Sequence, residues 1–372
     1  MIRRLCVTSL FLALITVVFA DAQTFKVPKR LVGDYGYWTR TQNPPYSADQ
    51  IPYNQLTHIN HAGVSFDANG NLQVPDGFLE PALILKAHAH GVRVLLLLGG
   101  DFYGLESSGQ MQTLVDNFAA FADQYGYDGT DIDWEYPATP TDRVFLVKLM
   151  AALRKANPAY TLSIDVAPWG GYGYDVKHLQ LSLDYFNIMM YDCAGQWTQY
   201  GQLNSPIFWD WHDPAPWECQ PGGSAKGAAD IFLSRVPAEQ LNMGMPFYGY
   251  FYTNINQLFG LCPNSAWTED GDCDNAVLTE NYAPFIKNRV NQRGWKSYRD
   301  PIALVPYLLK EDGSNGFITY DDPLSIYTRT HYSDYVLGLG GTFMWSLDAD
   351  YDGHSQDLLS AMYAATVEGN SH

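Results

Sequence analysis

Eight short runs of apolar and β-branched residues recur along the chain, separated by stretches with helical character. They are Arg30 to Trp38, Leu56 to Phe66, Val92 to Leu98, Gly129 to Glu135, Thr161 to Ala167, Tyr185 to Met190, Leu241 to Phe247 and Gly340 to Trp345. Strands that alternate with helices imply a parallel sheet, and eight such units predict an α/β fold that closes as a (β/α)8 TIM barrel. Two intervening helices are legible from their apolar spacing. Met111 to Tyr125 sets Leu114, Phe118, Phe121 and Ala122 on one face, and Arg143 to Lys155 carries Val144, Phe145, Val147, Leu149, Met150 and Leu153. The seventh and eighth runs are separated by more chain than one helix needs. Residues 250–316 therefore read as a small α+β insertion on the C-terminal rim, with residues 23–249 and 317–372 forming the barrel. The chain ends soon after the eighth run, which leaves no room for a separate binding module.

The N-terminus sets the expected compartment. Met1 to Arg4 is basic, Leu5 to Ala20 is apolar, and Ala20-Asp21-Ala22 is a small-residue cleavage pattern, so residues 1–22 read as a secretory signal peptide. The apolar run is shorter than the ~20 residues of a membrane span and lacks a basic stop-transfer cluster. The expected product is secreted, free of the membrane and monomeric. Of the five cysteines, Cys6 lies inside the apolar run, leaving Cys193, Cys219, Cys262 and Cys273. Three pairings are possible. Cys193 with Cys219 and Cys262 with Cys273 are favoured because each closes a local loop.

A formal net charge of −18, from 22 basic and 40 acidic residues, argues against nucleic acid and anionic membrane surfaces as partners. Ten Trp and 26 Tyr fit either a large aromatic core or a cleft that stacks sugar rings. The "FWDWHDPAPWEC" loop, with Trp209, Trp211 and Trp217, carries the same ambiguity: a sugar-stacking wall, or a loop packed on itself.

The stretch Tyr127 to Pro137, "YDGTDIDWEYP", carries the chemistry. In a strand Asp131, Asp133 and Glu135 share one face while Thr130, Ile132 and Trp134 take the other. Apolar Ile132 and Trp134 suit the helix side, so the carboxylates run up the barrel interior and Glu135 emerges last, at the C-terminal mouth. Carboxylates stacked in a low dielectric raise one another's proton affinity, and a group raised in that way serves as a general acid near neutral pH. An exposed acidic turn would not alternate with Ile and Trp, and a calcium loop requires a Gly directly after the third acidic position.

"DGTDIDWEYP" resembles the strand-four catalytic signature DGxDxDWEYP of glycoside hydrolase family 18 chitinases, matching at every fixed position. Other stretches follow in the family's order: "QLTHIN", "RVLLLLGG", "FNIMMYD", "GMPFYG", "YDDPLSI" and "GGTFMWSLDAD". The resemblance implies hydrolysis of β-1,4-linked N-acetylglucosamine with retention, on chitin and chitooligosaccharides, with the substrate's own acetamido oxygen as nucleophile. Glu135 is then the general acid and base. Asp133 orients the acetamido N–H after sharing a proton with Asp131, and Tyr191 and Asp192 touch the same group. Trp345 is the floor under the sugar, with Met189 and Tyr136 as walls and Tyr35, Gly99 and Gly100 along the same cleft. No metal or cofactor is implied.

Three positions depart from the family pattern. Leu97 stands where the family carries the Ser of SxGG, Asp34 replaces the first Tyr of a GYY pattern, and Tyr250 follows Gly249 where many members have Arg. Asp131 is therefore expected to lose two hydroxyl partners and to share a proton with Asp34. Two rival functions share the fold: a non-catalytic chitin-binding lectin, and an endo-β-N-acetylglucosaminidase acting on N-glycans. The retained Glu135, Asp133 and Tyr191 oppose the first. The insertion and the "WEYP" ending oppose the second. "DADYDG" at Asp348 to Gly353 opens like a calcium loop but has Leu359 at the twelfth position, and reads better as the end of the eighth strand. His88 and His90 read as solvated or capping histidines at a helix end.

Overall fold

The computed structural model describes residues 29–170, 174–215, 223–263, 273, 276–292 and 294–368. The expected signal peptide, Cys219 and Trp217 lie outside these residues. Eight parallel strands close into a barrel: β1 (Arg30–Gly36), β2 (His58–Phe66), β4 (Arg93–Leu98), β5 (Gly129–Asp133), β6 (Thr161–Val166), β7 (Tyr185–Ile188), β8 (Leu241–Pro246) and β14 (Gly341–Trp345). Each pairs with its neighbour in parallel, and β1 pairs with both β2 and β14, so the ring is complete and has no free edge. The short β3 (Leu72–Gln73) folds back on β2.

Helices α1 (Pro81–Ala89), α2 (Phe102–Ser108), α3 (Met111–Tyr125), α4 (Pro140–Ala156), α5 (Val176–Leu179), α6 (Ala225–Leu233), α7 (Pro323–His331) and α8 (Asp357–Glu368) surround the ring. The sequence marks where α4 begins. Thr139 caps it in a reciprocal box with Asp142, and Pro140 occupies the first turn, where its missing N–H costs nothing. Its apolar face buries Phe145, Leu146, Leu149, Met150 and Leu153 against the barrel. Leu114, Val115, Phe118 and Ala122 do the same for α3.

The insertion is a five-stranded antiparallel sheet in the order β10-β9-β13-β12-β11, built from β9 (Tyr248–Tyr252), β10 (Val277–Asn281), β11 (Trp295–Arg299), β12 (Pro306–Lys310) and β13 (Phe317–Thr319). It reaches past 250–316 at both ends, because Tyr248 and Thr319 lie in its flanking strands. The Cys262–Cys273 disulfide, expected from the sequence, is present. Cys193 is also disulfide-bonded. Among the described residues no helix is long and apolar enough to cross a membrane.

Candidate active site

The signature strand β5 divides its side chains as its alternation requires. Ile132 and Trp134 enter the layer between barrel and helices, where Trp134 stacks on Phe102 at 4.7 Å and meets Phe145 edge-on at 6.2 Å. Asp131 points into the barrel and is fully buried. Gly129 is needed for the strand to pair closely: its φ is 155°, and a Cβ there would lie 1.8 Å from the Thr161 carbonyl oxygen. Asp128, the first carboxylate of the motif, is structural. It accepts the Val94 N–H at 2.7 Å and faces His88 Nε2 at 2.8 Å.

Asp131 sits at the centre of a polar network. It accepts from Ser163 Oγ at 2.5 Å, Asn60 Nδ2 at 3.1 Å and Asn187 Nδ2 at 3.4 Å. Burial raises it to about 6, against hydrogen bonds with Ser163, Asp165 and Asn187. Burial, then the charges of Glu135 and Asp131, push Asp133 to about 7. Glu135 follows the last paired residue of β5 and is exposed at the mouth. Loss of hydration there still raises its pKa, with Asp192 adding to the rise and a hydrogen bond from Tyr136 opposing it. An acid lifted in this way keeps its proton at a pH where a fully hydrated carboxyl would have lost it.

The facing wall comes from the segment after β7 and from β9. Asp192 adopts a left-handed backbone, φ 63°, with its N–H donating to Asn204 Oδ1 at 2.9 Å. Asp tolerates that conformation better than most residues. Its Oδ1 accepts the hydroxyls of Tyr248 and of Tyr250, the latter at 2.7 Å. Tyr191 is buried against Tyr248 and Phe343. Together Asp192, Tyr248, Tyr250, Trp345 and the insertion residues Thr279 and Asn281 line a cavity of about 230 Å³ at the barrel mouth. Thr279 and Asn281 bring the β10 strand of the five-stranded sheet to one side of this cavity.

A model described as "Glycosyl hydrolases family 18" matches residues 30–350. The chain belongs to glycosyl hydrolase family 18. It is 26% identical to Endochitinase 1 of Metarhizium robertsii over 83% of this chain and 78% of that protein. It is 29% identical to a probable endochitinase of Caenorhabditis elegans over 72% of this chain, but spans only 45% of that longer relative. Among solved structures, the Ostrinia furnacalis group IV chitinase in complex with allosamidin superposes with a TM-score of 0.79 at 23% identity, covering 92% of this chain and 99% of that one.

In this family 18 hydrolase most of the expected site residues gather at the mouth: Asp133, Glu135, Tyr136, Tyr191, Asp192 and Trp345, with Met189 buried in the inner cluster beside them. Tyr136 meets Trp169 edge-on at 5.1 Å. Tyr35 is a correction. With Asp34 inside the barrel, the next residue on the strand must face out, and Tyr35 is fully buried, stacked on His61 and bonded to Glu80 at 2.6 Å. Gly100 is required by the backbone, since a Cβ there would lie 2.8 Å from the Phe66 nitrogen. Gly99 has ordinary room for one, 3.8 Å from the Asp133 carbonyl oxygen.

The expected pairing of Asp34 with Asp131 is also corrected. The Asn60 amide stands between them, donating to Asp34 Oδ1 at 2.8 Å as well as to Asp131. Nor does Asp131 lack a hydroxyl partner, because Ser163 supplies one from β6. Tyr250, the third departure, helps to hold Asp192. The sequence reading passed over Asp165 in "TLSIDV". It is buried, registers with Asp133 across β5 and β6, and lies on the inward parity set by Ser163. Trp209 and Trp211 reach solvent at 47% and 66% exposure. His90 caps α1 by bonding the Lys86 carbonyl at 2.8 Å, and the Leu347–Asp350 turn follows β14.

The interior carboxyls give the fold a pH signature. Folding raises Asp131 and Asp133 above the ordinary value of 3.8, so the native state binds more protons than the unfolded chain between the two values. Their contribution to stability is complete below that ordinary value and is lost as pH rises through about 6 and about 7. Asp334, at about 6, and Asp350, at about 8, act in the same sense. Tm is expected to fall between about pH 4.5 and about pH 7.5 in calorimetry. A Tm that rose over that interval would show that these groups are ionised without penalty.

Proposed function

We infer that this family 18 hydrolase is a chitinase, cleaving β-1,4 bonds between N-acetylglucosamine units with retention through the substrate's acetamido group. The observation that carries this reading is the pairing of one exposed acid, Glu135, with nearby carboxyls that are poorly suited to attack carbon. Asp133 is held near neutrality by burial and its neighbours, and Asp192 Oδ1 already accepts two tyrosine hydroxyls. With no free carboxylate nucleophile presented beside the acid among the described residues, the acetamido oxygen is the internal nucleophile available. Glu135 protonates the leaving oxygen and later takes a proton from water. Asp133 turns to the acetamido N–H and balances the positive charge of the oxazolinium, Tyr191 and Asp192 hold the same group, and Trp345 supports the ring.

The chitinase names of the relatives support the substrate class. Export through residues 1–22 is part of the same proposal, supported by the Cys262–Cys273 disulfide, which persists in oxidising compartments. The five-stranded sheet, with Tyr248 and Thr319 in its flanking strands, is proposed as the insertion that raises one wall of the cleft. The test is proton NMR of chitotetraose during hydrolysis. A β-anomer as the first product is expected. An α-anomer would exclude the retaining route, and no cleavage with intact binding would favour the lectin.

A further inference from the structure

Two carboxyls inside the barrel have no part in the chemistry above. Asp34 on β1 and Asp165 on β6 are buried with Asp131 inside the barrel, and Asp133 stands half-buried beside them. Among the described residues, the ion pairs nearest in chain, those of Arg40, Asp128 and Asp184, involve none of the four. The donors are unequally shared. Asp131 receives three, and the third comes from a relay in which Arg30 Nε donates to Asn242 at 2.9 Å and Asn242 donates to Asn187 at 2.9 Å. Asp34 receives only the Asn60 amide. Asp34 Oδ2, Asp133 Oδ1 and Asp165 Oδ1 are buried without a partner. A buried oxygen without a donor is tolerable on a neutral carboxyl and costly on an anion. The negative charge therefore belongs on Asp131.

We propose that Asp165 is a positioning residue that keeps its proton through the working pH range and donates it in a hydrogen bond to Asp131, fixing Asp131 as the anion of the cluster. This rests on the chitinase reading for its consequence: Asp133 is left as the group that exchanges a proton with Glu135. The Asp165 and Asp131 carboxyls are within hydrogen-bonding reach. The titratable groups facing Asp165 are Asp131 and Asp133 from β5, Asp34 from β1, and Tyr191 and Tyr174 from the loops above. All are acids, so each opposes ionisation of Asp165. Burial and these neighbours hold it well above the ordinary carboxylate range, against an opposing hydrogen bond from Asn187.

The test compares Asp165→Asn, which keeps a neutral donor, with Asp165→Ala, which does not. Loss of a donor to a buried anion is expected to lower kcat about tenfold or more in the Ala variant, with the Asn variant restoring both rate and pH profile. An alkaline limb moved about one unit lower in Asp165→Asn would mean that a negative charge had been removed, and would overturn the proposal. Infrared difference spectra of the full chain at neutral pH supply a readout independent of hydrolysis. A protonated-carboxyl carbonyl band is expected to disappear in Asp165→Asn, and no change in that region would equally overturn it. A failed chitinase reading leaves the infrared result standing, so the two failures are distinguishable. Should Asp165→Ala not fold, Asp165→Asn and the spectra decide alone.

Discussion

Replacing Glu135 with Gln is expected to lower kcat on chitotetraose by about a thousandfold, within the range a positioned general acid supplies. The amide has the same shape but no proton to give the departing oxygen and no lone-pair base for the incoming water. Because Glu135 is exposed beyond the end of β5, the fold should not notice the change, and Tm should stay within about 1 °C. Binding of a chitooligosaccharide, measured by calorimetry, should survive. The loss should also depend on the leaving group. An aryl chitobioside departs without protonation, so its first turnover should retain far more of the wild-type rate than chitotetraose does. Equal losses on both substrates would show that Glu135 does something other than protonate the leaving oxygen.

The part of the site that a sequence reader reaches first is the part fixed by local alternation. Along β5 and the two residues after it, period two alone separates Asp131, Asp133 and Glu135 from Ile132 and Trp134, and the structure keeps that separation. The same rule, applied to "GDY", sends Tyr35 outward once Asp34 is placed inside, as the structure has it. Asp165 and Asn60 were harder to find. Each lies on the inward parity of its own strand, but which residues stand level with Asp131 depends on the stagger between parallel strands, and that register is set by the closed ring rather than by any one run. The Asn60 bridge and the Arg30 relay likewise join strands far apart in sequence. The eight runs foretold the barrel because each strand must bury an apolar outer face under helices. They could not foretell which polar side chains would meet inside it.

Asp133→Asn is the second large effect, expected to lower kcat by about a hundredfold or more, the scale of losing one preorganised electrostatic contact in the transition state. Asp133 is held at about 7, so below that pH an Asn resembles its resting neutral form and substrate binding should change little. The difference arises as the acetamido oxygen closes on the anomeric carbon. The ring nitrogen then gains positive charge, which a carboxyl balances by giving up its proton toward Glu135 and an amide cannot. This loss should fall on kcat rather than KM, because the charge develops only on the way to the transition state. It should also be much the same for chitotetraose and for an aryl chitobioside, since the acetamido oxygen closes on the anomeric carbon as either leaving group departs, and the ring gains the same positive charge in both. That independence separates Asp133 from Glu135. If the activated glycoside rescued Asp133→Asn as it rescues Glu135→Gln, Asp133 would belong to proton delivery, and the acetamido route would lose the residue that balances its charge.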